Sequence, residues 1–428
     1  LPLRQQQQLD HDDLAVGRQQ PRHARHQPAR RLRQLGLEQR LLQLELIMRR
    51  ETITPRPGWQ QKLEQIGFDF YVLDGKTYWN EQACYAFTSD QIDELEATTE
   101  ELHGLCLKAV EYVVSNRLWE RMRIPPAWAD YIERVWRRTD PTLVGRFDLA
   151  YDGKSPPKLL EYNADTPTAL YEAAVVQWYW LKDAKPEADQ FNSIHERLIE
   201  AWRGILRRLP PEALVHFARF ADHPEDLATS EYLRDTALQA GLAGKPLGVA
   251  EIGWNGRRFT DPDEMPIQVL SKLYPWEWMV REEFGVHVLT DTTAFLEPAW
   301  KMILSNKMLL PLLWEGFPNH RNLLPAFDSE HPDLGRAFVK KPIFGREGHN
   351  VTVVGPGVFD TAGGDYGTEG FVWQAYQPLP VFDGNHALVG SWVIEGKPAG
   401  IGMREDERRI THNNSRFVPH YFEPASDG

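Results

Sequence analysis

The chain has 428 residues, 48 Lys and Arg against 61 Asp and Glu, a formal net charge of −13, and 42% hydrophobic residues. This is a globular composition, long enough for two or three domains with sizeable cores. Two cysteines, Cys84 and Cys106, exclude a disulfide framework, no apolar run approaches the roughly 20 residues needed to cross a bilayer, and the acidic balance argues against a nucleic-acid partner, which would need a basic face. A reducing cytosol fits best, and small anionic ligands remain compatible with a local cluster of Arg and Lys.

In chain order, residues 1–47 carry eight Arg, no Lys, five acidic residues and ten Gln. Such biased composition buries no core, and the first methionine is Met48. We expect a dispensable extension or a mis-assigned start, disordered or spurious; an Arg-rich organelle leader is the alternative. From Met48 onward 40 basic residues face 56 acidic ones, so the body is more acidic than the whole. Thr88-Ser89-Asp90-Gln91 has the form of a capping box ahead of apolar Ile92, Leu95, Leu102, Leu105 and Ala109, which predicts a long amphipathic helix over 89–115. A second helical stretch, in pieces, is predicted over 170–207. A buried strand over 213–217, a helix over 225–240 ending at Gly241 and a strand over 247–250 form one strand–helix–strand unit of a parallel sheet. Segments 337–341, 350–354, 371–375 and 387–395 read as an antiparallel sheet. The class is α+β, or mixed α/β, with seams near 210 and 300.

The most informative segment is Gly145-Arg146-Phe147-Asp148, a turn, then Glu161-Tyr162-Asn163-Ala164-Asp165-Thr166. If both flanks are strands of a hairpin, alternation places Arg146 and Asp148 on one face of the first and Glu161 and Asn163 on one face of the second. Two carboxylates and an amide oxygen suit Mg²⁺ or Mn²⁺ shared with substrate phosphates; a surface hairpin with an Arg–Asp pair is the plain alternative. A second constellation, Lys340-Lys341-Pro342-Ile343-Phe344-Gly345-Arg346-Glu347-Gly348, joins a strand ending in Lys to a flexible loop with glycines around an Arg. Its amides and cations could close over phosphates, or it is a hairpin with a charged tip; its spacing matches neither a Walker loop nor G-x-G-x-x-G. Lys307 and Arg404 are further basic candidates, each of which could be a solvated charge. The cysteines lack zinc-ligand companions, no G-x-S-x-G elbow is present, and the 15 Trp read mostly as core.

Taken together, the order and spacing of 146–168, 306–314, 341–350 and Arg404 resemble the synthetase part of the glutathionylspermidine synthase family, over roughly 60–425. The resemblance implies an ATP-grasp-like catalytic domain, a helical N-terminal part with a metal-binding hairpin at about 143–168 (48–209), a small parallel pre-ATP-grasp-like unit (210–300) and a nucleotide-binding region (301–428). The length after Met48 resembles the single-domain acid–amine ligase branch. By the same resemblance Asp148, Glu161 and Asn163 hold two Mg²⁺ ions, and Arg146 touches the transferring phosphoryl group and the substrate carboxylate. Lys307 and Lys341 hold nucleotide phosphates, and Gln374 to Gln377 contact adenine. Arg346, with Glu347 and Gly348, forms the lid on the γ-phosphate, and Arg404 binds substrate. Thr166 and Thr168 stand where glutathionylspermidine synthases carry two serines. A glutathione-binding Glu falls near Thr229 and a glutathione-binding Thr near Leu273, which puts glutathione itself in question.

The resulting expectation is an ATP- and Mg²⁺-dependent ligase joining a carboxylic acid or small peptide to an amine, through an acyl phosphate, in the cytoplasm. Its partners would be small molecules, with neither nucleic acid nor membrane, and nothing in the chain sets an oligomeric state. Two rival readings are a catalytically inactive ATP-binding scaffold and a carbohydrate hydrolase using Asp148 and Glu161 as paired carboxylates.

Overall fold

The computed structural model describes residues 48–209, 213–220 and 223–423, so the expectation for 1–47 lies outside the described residues. Thr88 caps the helix Ser89–Ser115, its hydroxyl accepting from the Gln91 amide (3.3 Å) while the Gln91 side chain accepts from the Thr88 amide (3.0 Å). Ile92, Leu95, Leu102, Leu105 and Ala109 fall on its buried stripe as the periodicity predicts. The 170–207 stretch is a π-helical turn Glu172–Val176 followed by the helices Gln177–Ala184 and Ile194–Leu206. The latter two bury Trp180 and Trp202 in the core.

Three sheets position the site. The central sheet is antiparallel: Arg416–Val418, Lys397–Asp406, Asn385–Ile394, Val144–Ala150 and Lys158–Asn163 in spatial order, with Val381–Phe382 paired to the side of Asn385–Ile394. A second sheet, which we call the lid sheet, is also antiparallel and runs Ala326–Phe327, Phe371–Ala375, Phe338–Pro342, Thr352–Gly355, Val358–Thr361. The third is parallel, Ala294–Leu296, Val269–Leu273, Leu214–Arg219, Ala243–Gly248, with the helix Pro224–Gln239 as a crossover. The expected strand–helix–strand unit is thus half of a four-stranded sheet. The expected 337–395 strands divide between the lid and central sheets, because the last of them pairs with Val144–Ala150 rather than with Phe371–Ala375.

One boundary moves. The strand expected at 247–250 is Ala243–Gly248, and Val249–Glu251 is a 3₁₀ turn. Pro246 cannot donate to a ladder, but this strand is at the sheet edge, where a missing N–H leaves no partner unsatisfied. At the far end of the chain, His420–Glu423 pairs parallel with Ala83–Thr88, which also pairs with Arg49–Thr52. This ties the last described strand to the first.

Candidate active site

The hairpin at the edge of the central sheet sets Arg146 opposite Asn163 and Asp148 opposite Glu161. All four belong to one face, as alternation requires. The other face presents Phe147 and Tyr162, stacked at 3.8 Å and both buried, so the core fixes which side carries the polar groups. A register shift after Asp148 leaves Leu160 unpaired across the hairpin, and its carbonyl accepts from Lys341 Nζ at 2.9 Å. Gly390, opposite Asp148 on the next strand, leaves space for the Arg146 side chain: a Cβ there would stand 3.0 Å from Arg146 Cδ.

Arg146 donates to both Asp148 oxygens (2.8 and 3.2 Å) and to the Thr168 carbonyl (2.8 Å). Asn163 Nδ2 reaches Glu161 Oε1 at 3.1 Å and Asp148 Oδ2 at 3.4 Å. Lys307 Nζ stands 2.9 Å from Glu161 Oε2 and donates to the Gly345 carbonyl at 2.6 Å. Against the burial that would raise it, the Lys307 and Lys341 ammonium groups hold the Glu161 carboxyl down to about 2. Burial pushes Asp148 the other way, upward, with Arg146 opposing and the Glu161 charge reinforcing the rise.

Lys341 projects from the lid strand Phe338–Pro342 and donates to Gln374 Oε1 at 2.8 Å as well as to Leu160; Gln374 in turn donates to the Leu159 carbonyl at 2.9 Å. These bonds stitch the lid sheet to the central sheet. Burial pulls the Lys341 ammonium down to about 8 despite the Glu161 charge. In the lid loop, Arg346 spans the gap. It donates to Thr166 Oγ1 at 2.9 Å and, through two nitrogens, to Glu277 Oε1 at 2.8 and 2.7 Å. Glu347 and Gly348 both take left-handed backbone, φ +53° and +72°. Arg404 is gripped by the carbonyls of Ser415, His412 and Asn413 at 3.0, 3.1 and 2.7 Å and lies over the Tyr78 ring.

Fourteen of the residues singled out in the sequence line one open cavity between the central and lid sheets, whereas Thr229 and Leu273 are buried outside its lining. Arg146, Asp148, Glu161, Asn163, Thr166, Thr168, Lys307, Lys341, Arg346, Glu347, Gly348, Gln374, Gln377 and Arg404 come from five separate stretches of chain. Leu160, Val339, Val353, Leu379 and Leu388 give the same cavity an apolar wall. Six Lys and Arg side chains, Arg409 among them, line it and favour an anionic occupant. Among the described residues no group of three or more His, Cys, Asp or Glu could hold a metal ion. The hairpin instead groups two carboxylates with Asn163, whose nitrogen faces them both; with that amide turned over the set is all oxygen and fits Mg²⁺, which takes one or two carboxylates and completes its shell with substrate phosphates and water.

Sequence reasoning missed Glu277, the counter-charge of Arg346, and Asp165, which accepts from Lys272 Nζ (2.6 Å) and the Trp276 amide (2.8 Å). It also missed two buried acids behind Arg404: Tyr78 donates to Glu172 at 2.6 Å and lies 3.2 Å from Glu225, and burial with the Glu225 charge pushes Glu172 up to about 7. The only local signal for Glu277 is an acid inside an aromatic run, Trp276-Glu277-Trp278.

Comparison with known proteins places the chain in a family. The model described as glutathionylspermidine synthase preATP-grasp matches residues 50–423. A Haemophilus influenzae protein provisionally named acid–amine ligase is 43% identical over 395 residues, covering 88% of this chain and all of its own. The bifunctional glutathionylspermidine synthetase/amidase of Escherichia coli is 27% identical, over 78% of this chain and 58% of its own. Among solved structures, a glutathione synthetase-like effector of Globodera pallida superposes with a TM-score of 0.50 at 12% identity, over 93% of this chain and 98% of that one, a likeness of fold. The chain belongs to the glutathionylspermidine synthase preATP-grasp family, with an ATP-grasp-type mixed α/β fold, and its enzyme class is that of the carbon–nitrogen, acid–amine ligases.

Proposed function

We propose that the protein is an ATP- and Mg²⁺-dependent ligase that joins a carboxylic acid or small peptide to an amine, with polyamines among the amines to be tested, in the reducing cytosol. The observation that carries this reading is the convergence of Asp148, Glu161 and Asn163 with Arg146, Lys307, Lys341, Arg346 and Arg404 on one cavity with an apolar wall. An amide does not form from a carboxylate and an amine in water without activation. A carboxylate oxygen therefore attacks the γ-phosphorus of ATP, ADP leaves, and the acyl phosphate is attacked by the amine nitrogen, which expels phosphate and gives up its proton.

The chain's residues divide this work. The apolar wall takes the adenine ring beside Gln374 and Gln377, and Lys307 and Lys341 hold the nucleotide phosphates. Arg146, fixed in orientation by Asp148 and the Thr168 carbonyl, faces the transferring phosphoryl group. Arg404, held in place by hydrogen bonds to neutral carbonyls, meets the acid substrate, with Thr166 and Thr168 as neighbouring hydroxyls. Asp148, Glu161 and Asn163 would hold Mg²⁺, which when bound supplies charge neutralisation along the phosphates. Preorganised cations stabilise developing phosphoryl charge without reorganising, and the loop carrying Arg346, Glu347 and Gly348 keeps water from the acyl phosphate.

The test is ADP release from Mg²⁺-ATP across a panel of small peptides and carboxylates, glutathione included, each with and without polyamines, followed by mass spectrometry. Stimulation only when acid and amine are both present, with a product lighter by one water than their sum, is the expected result. Tight nucleotide binding with no turnover from any pair, unaltered by Asp148→Ala, would replace the ligase with a binding scaffold.

A further inference from the structure

Arg346 joins the lid loop to two places at once, to the parallel-sheet side of the molecule through Glu277 and to the end of the central-sheet hairpin through Thr166. Its guanidinium meets Glu277 Oε1 through Nε and Nη2 at 2.8 and 2.7 Å, and Thr166 Oγ1 through Nη1. The pair is shielded, the Glu277 side chain being 10% exposed and that of Arg346 26%. Glu277 is itself held in place. It sits in the short helix Trp276–Met279, whose first amide donates to Asp165, the residue between Asn163 and Thr166. Asp165 also takes the buried Lys272 ammonium from the parallel strand Val269–Leu273. Both anchors of Arg346 therefore hang from one aspartate. A second bridge, Arg281 to Glu369 at 2.6 Å, fastens the neighbouring lid segment to the same short helical region.

We propose that Glu277 is the positioning residue of the lid: it holds the Arg346 guanidinium over the cavity before nucleotide arrives, so that the loop 344–350 closes on a preset cation instead of ordering one. A carboxylate that fixes the rotamer of a working arginine lowers the reorganisation left for the transition state. The residue touches no reacting atom and acts only through Arg346. The role of Arg346 rests on the ligase reading above, whereas the holding contact does not.

The experiment uses the full chain and three variants, Glu277→Gln, Arg346→Ala and the double variant. Hydrogen–deuterium exchange of the nucleotide-free protein is expected to rise across 344–350 in each single variant, and the double variant is expected to exchange no faster than Arg346→Ala. In ADP release from Mg²⁺-ATP with the acid–amine pair active in the panel, Glu277→Gln lowers kcat by about tenfold with little change in KM for ATP, and adds nothing in the Arg346→Ala background. Unchanged exchange in Glu277→Gln overturns the proposal, as does a full additional loss of kcat on top of Arg346→Ala, since Glu277 would then act elsewhere. If Arg346→Ala leaves kcat untouched while Glu277→Gln loosens 344–350, the holding contact stands and the assigned lid role falls.

Discussion

The buried pair Lys272–Asp165 supports both the hairpin and the short helix of Glu277, so its removal is the most informative stability perturbation. Each side chain is 1% exposed and the charges lie 2.6 Å apart. Lys272 also donates to the Tyr274 carbonyl at 2.9 Å and lies over the Trp276 ring, while the second Asp165 oxygen takes the Trp276 amide. Lys272→Met keeps the apolar stem and deletes the charge, leaving the buried Asp165 carboxylate with the Trp276 amide as its hydrogen-bond donor and the more distant Arg346 as its counter-charge. Stranding one member of a buried pair costs ~3–5 kcal/mol. Asp165→Asn in the same background removes the orphan charge, and an Asn oxygen can still accept from Trp276. The double variant should therefore recover most of the loss and differ from the parent by about 1 kcal/mol, the worth of a hydrogen bond. Urea unfolding followed by fluorescence and circular dichroism measures both. A cost below about 1 kcal/mol for Lys272→Met, or a double variant no more stable than the single, would refute the claim that the pair bears this load.

Four further outcomes are expected. Asp148→Ala or Glu161→Ala should abolish Mg²⁺-ATP turnover in a folded preparation; unchanged turnover would remove the metal assignment. Arg346→Ala should lose mainly kcat, by about 10²–10³-fold, because its contact strengthens in the transition state; a change confined to KM contradicts that. Lys341, pulled to about 8 by burial, loses its charge as pH rises through 8, whereas phosphate completes its own ionisation near ~6, so affinity for a Mg²⁺-ATP analogue in calorimetry should fall about tenfold between about pH 7 and 9. Stability runs the opposite way: between about 8 and 10.4 the unfolded chain binds the proton that folded Lys341 has released, so this group's contribution rises with pH, and a flat affinity profile would show that its charge is not used. Gly348→Ala places a Cβ 2.7 Å from Ile410 Cγ2 and the Thr411 carbonyl, on backbone at φ +72°, and should slow turnover by at least tenfold while leaving the melting temperature within a few degrees.

What the sequence disclosed follows the range of the interactions involved. Thr88 and Gln91 cap a helix by bonds that span three residues, and the apolar stripe repeats inside the same helix, so both its start and its end at Ser115 were legible. The hairpin was legible for the same reason: period-two alternation settles which residues share a face before any partner strand is known. The division of 337–395 between two sheets was not, because the choice of Val144–Ala150 as partner for Asn385–Ile394 is made by a pairing more than two hundred residues apart in sequence. The start of the edge strand Ala243–Gly248 was obscured by Pro246, whose cost depends on whether a neighbour waits for its N–H, and that is a property of the sheet rather than of the segment.

The same distinction separates the cations that sequence found from the acids that it did not. Arg146, Lys307, Lys341, Arg346 and Arg404 are conspicuous in the chain through flanking glycines, strand ends and resemblance to a family. Glu277 and Asp165 are ordinary acids until the fold sets Glu277 against Arg346, 69 residues away, and Asp165 against Lys272, 107 residues away. A ligand-facing charge has a local signature because a loop must be shaped to expose it. The charge that orients it has none, because its work is defined by the partner the fold supplies. Hence the orienting acids are where the structure adds most to the sequence, and where a variant can separate holding an arginine in place from having one at all.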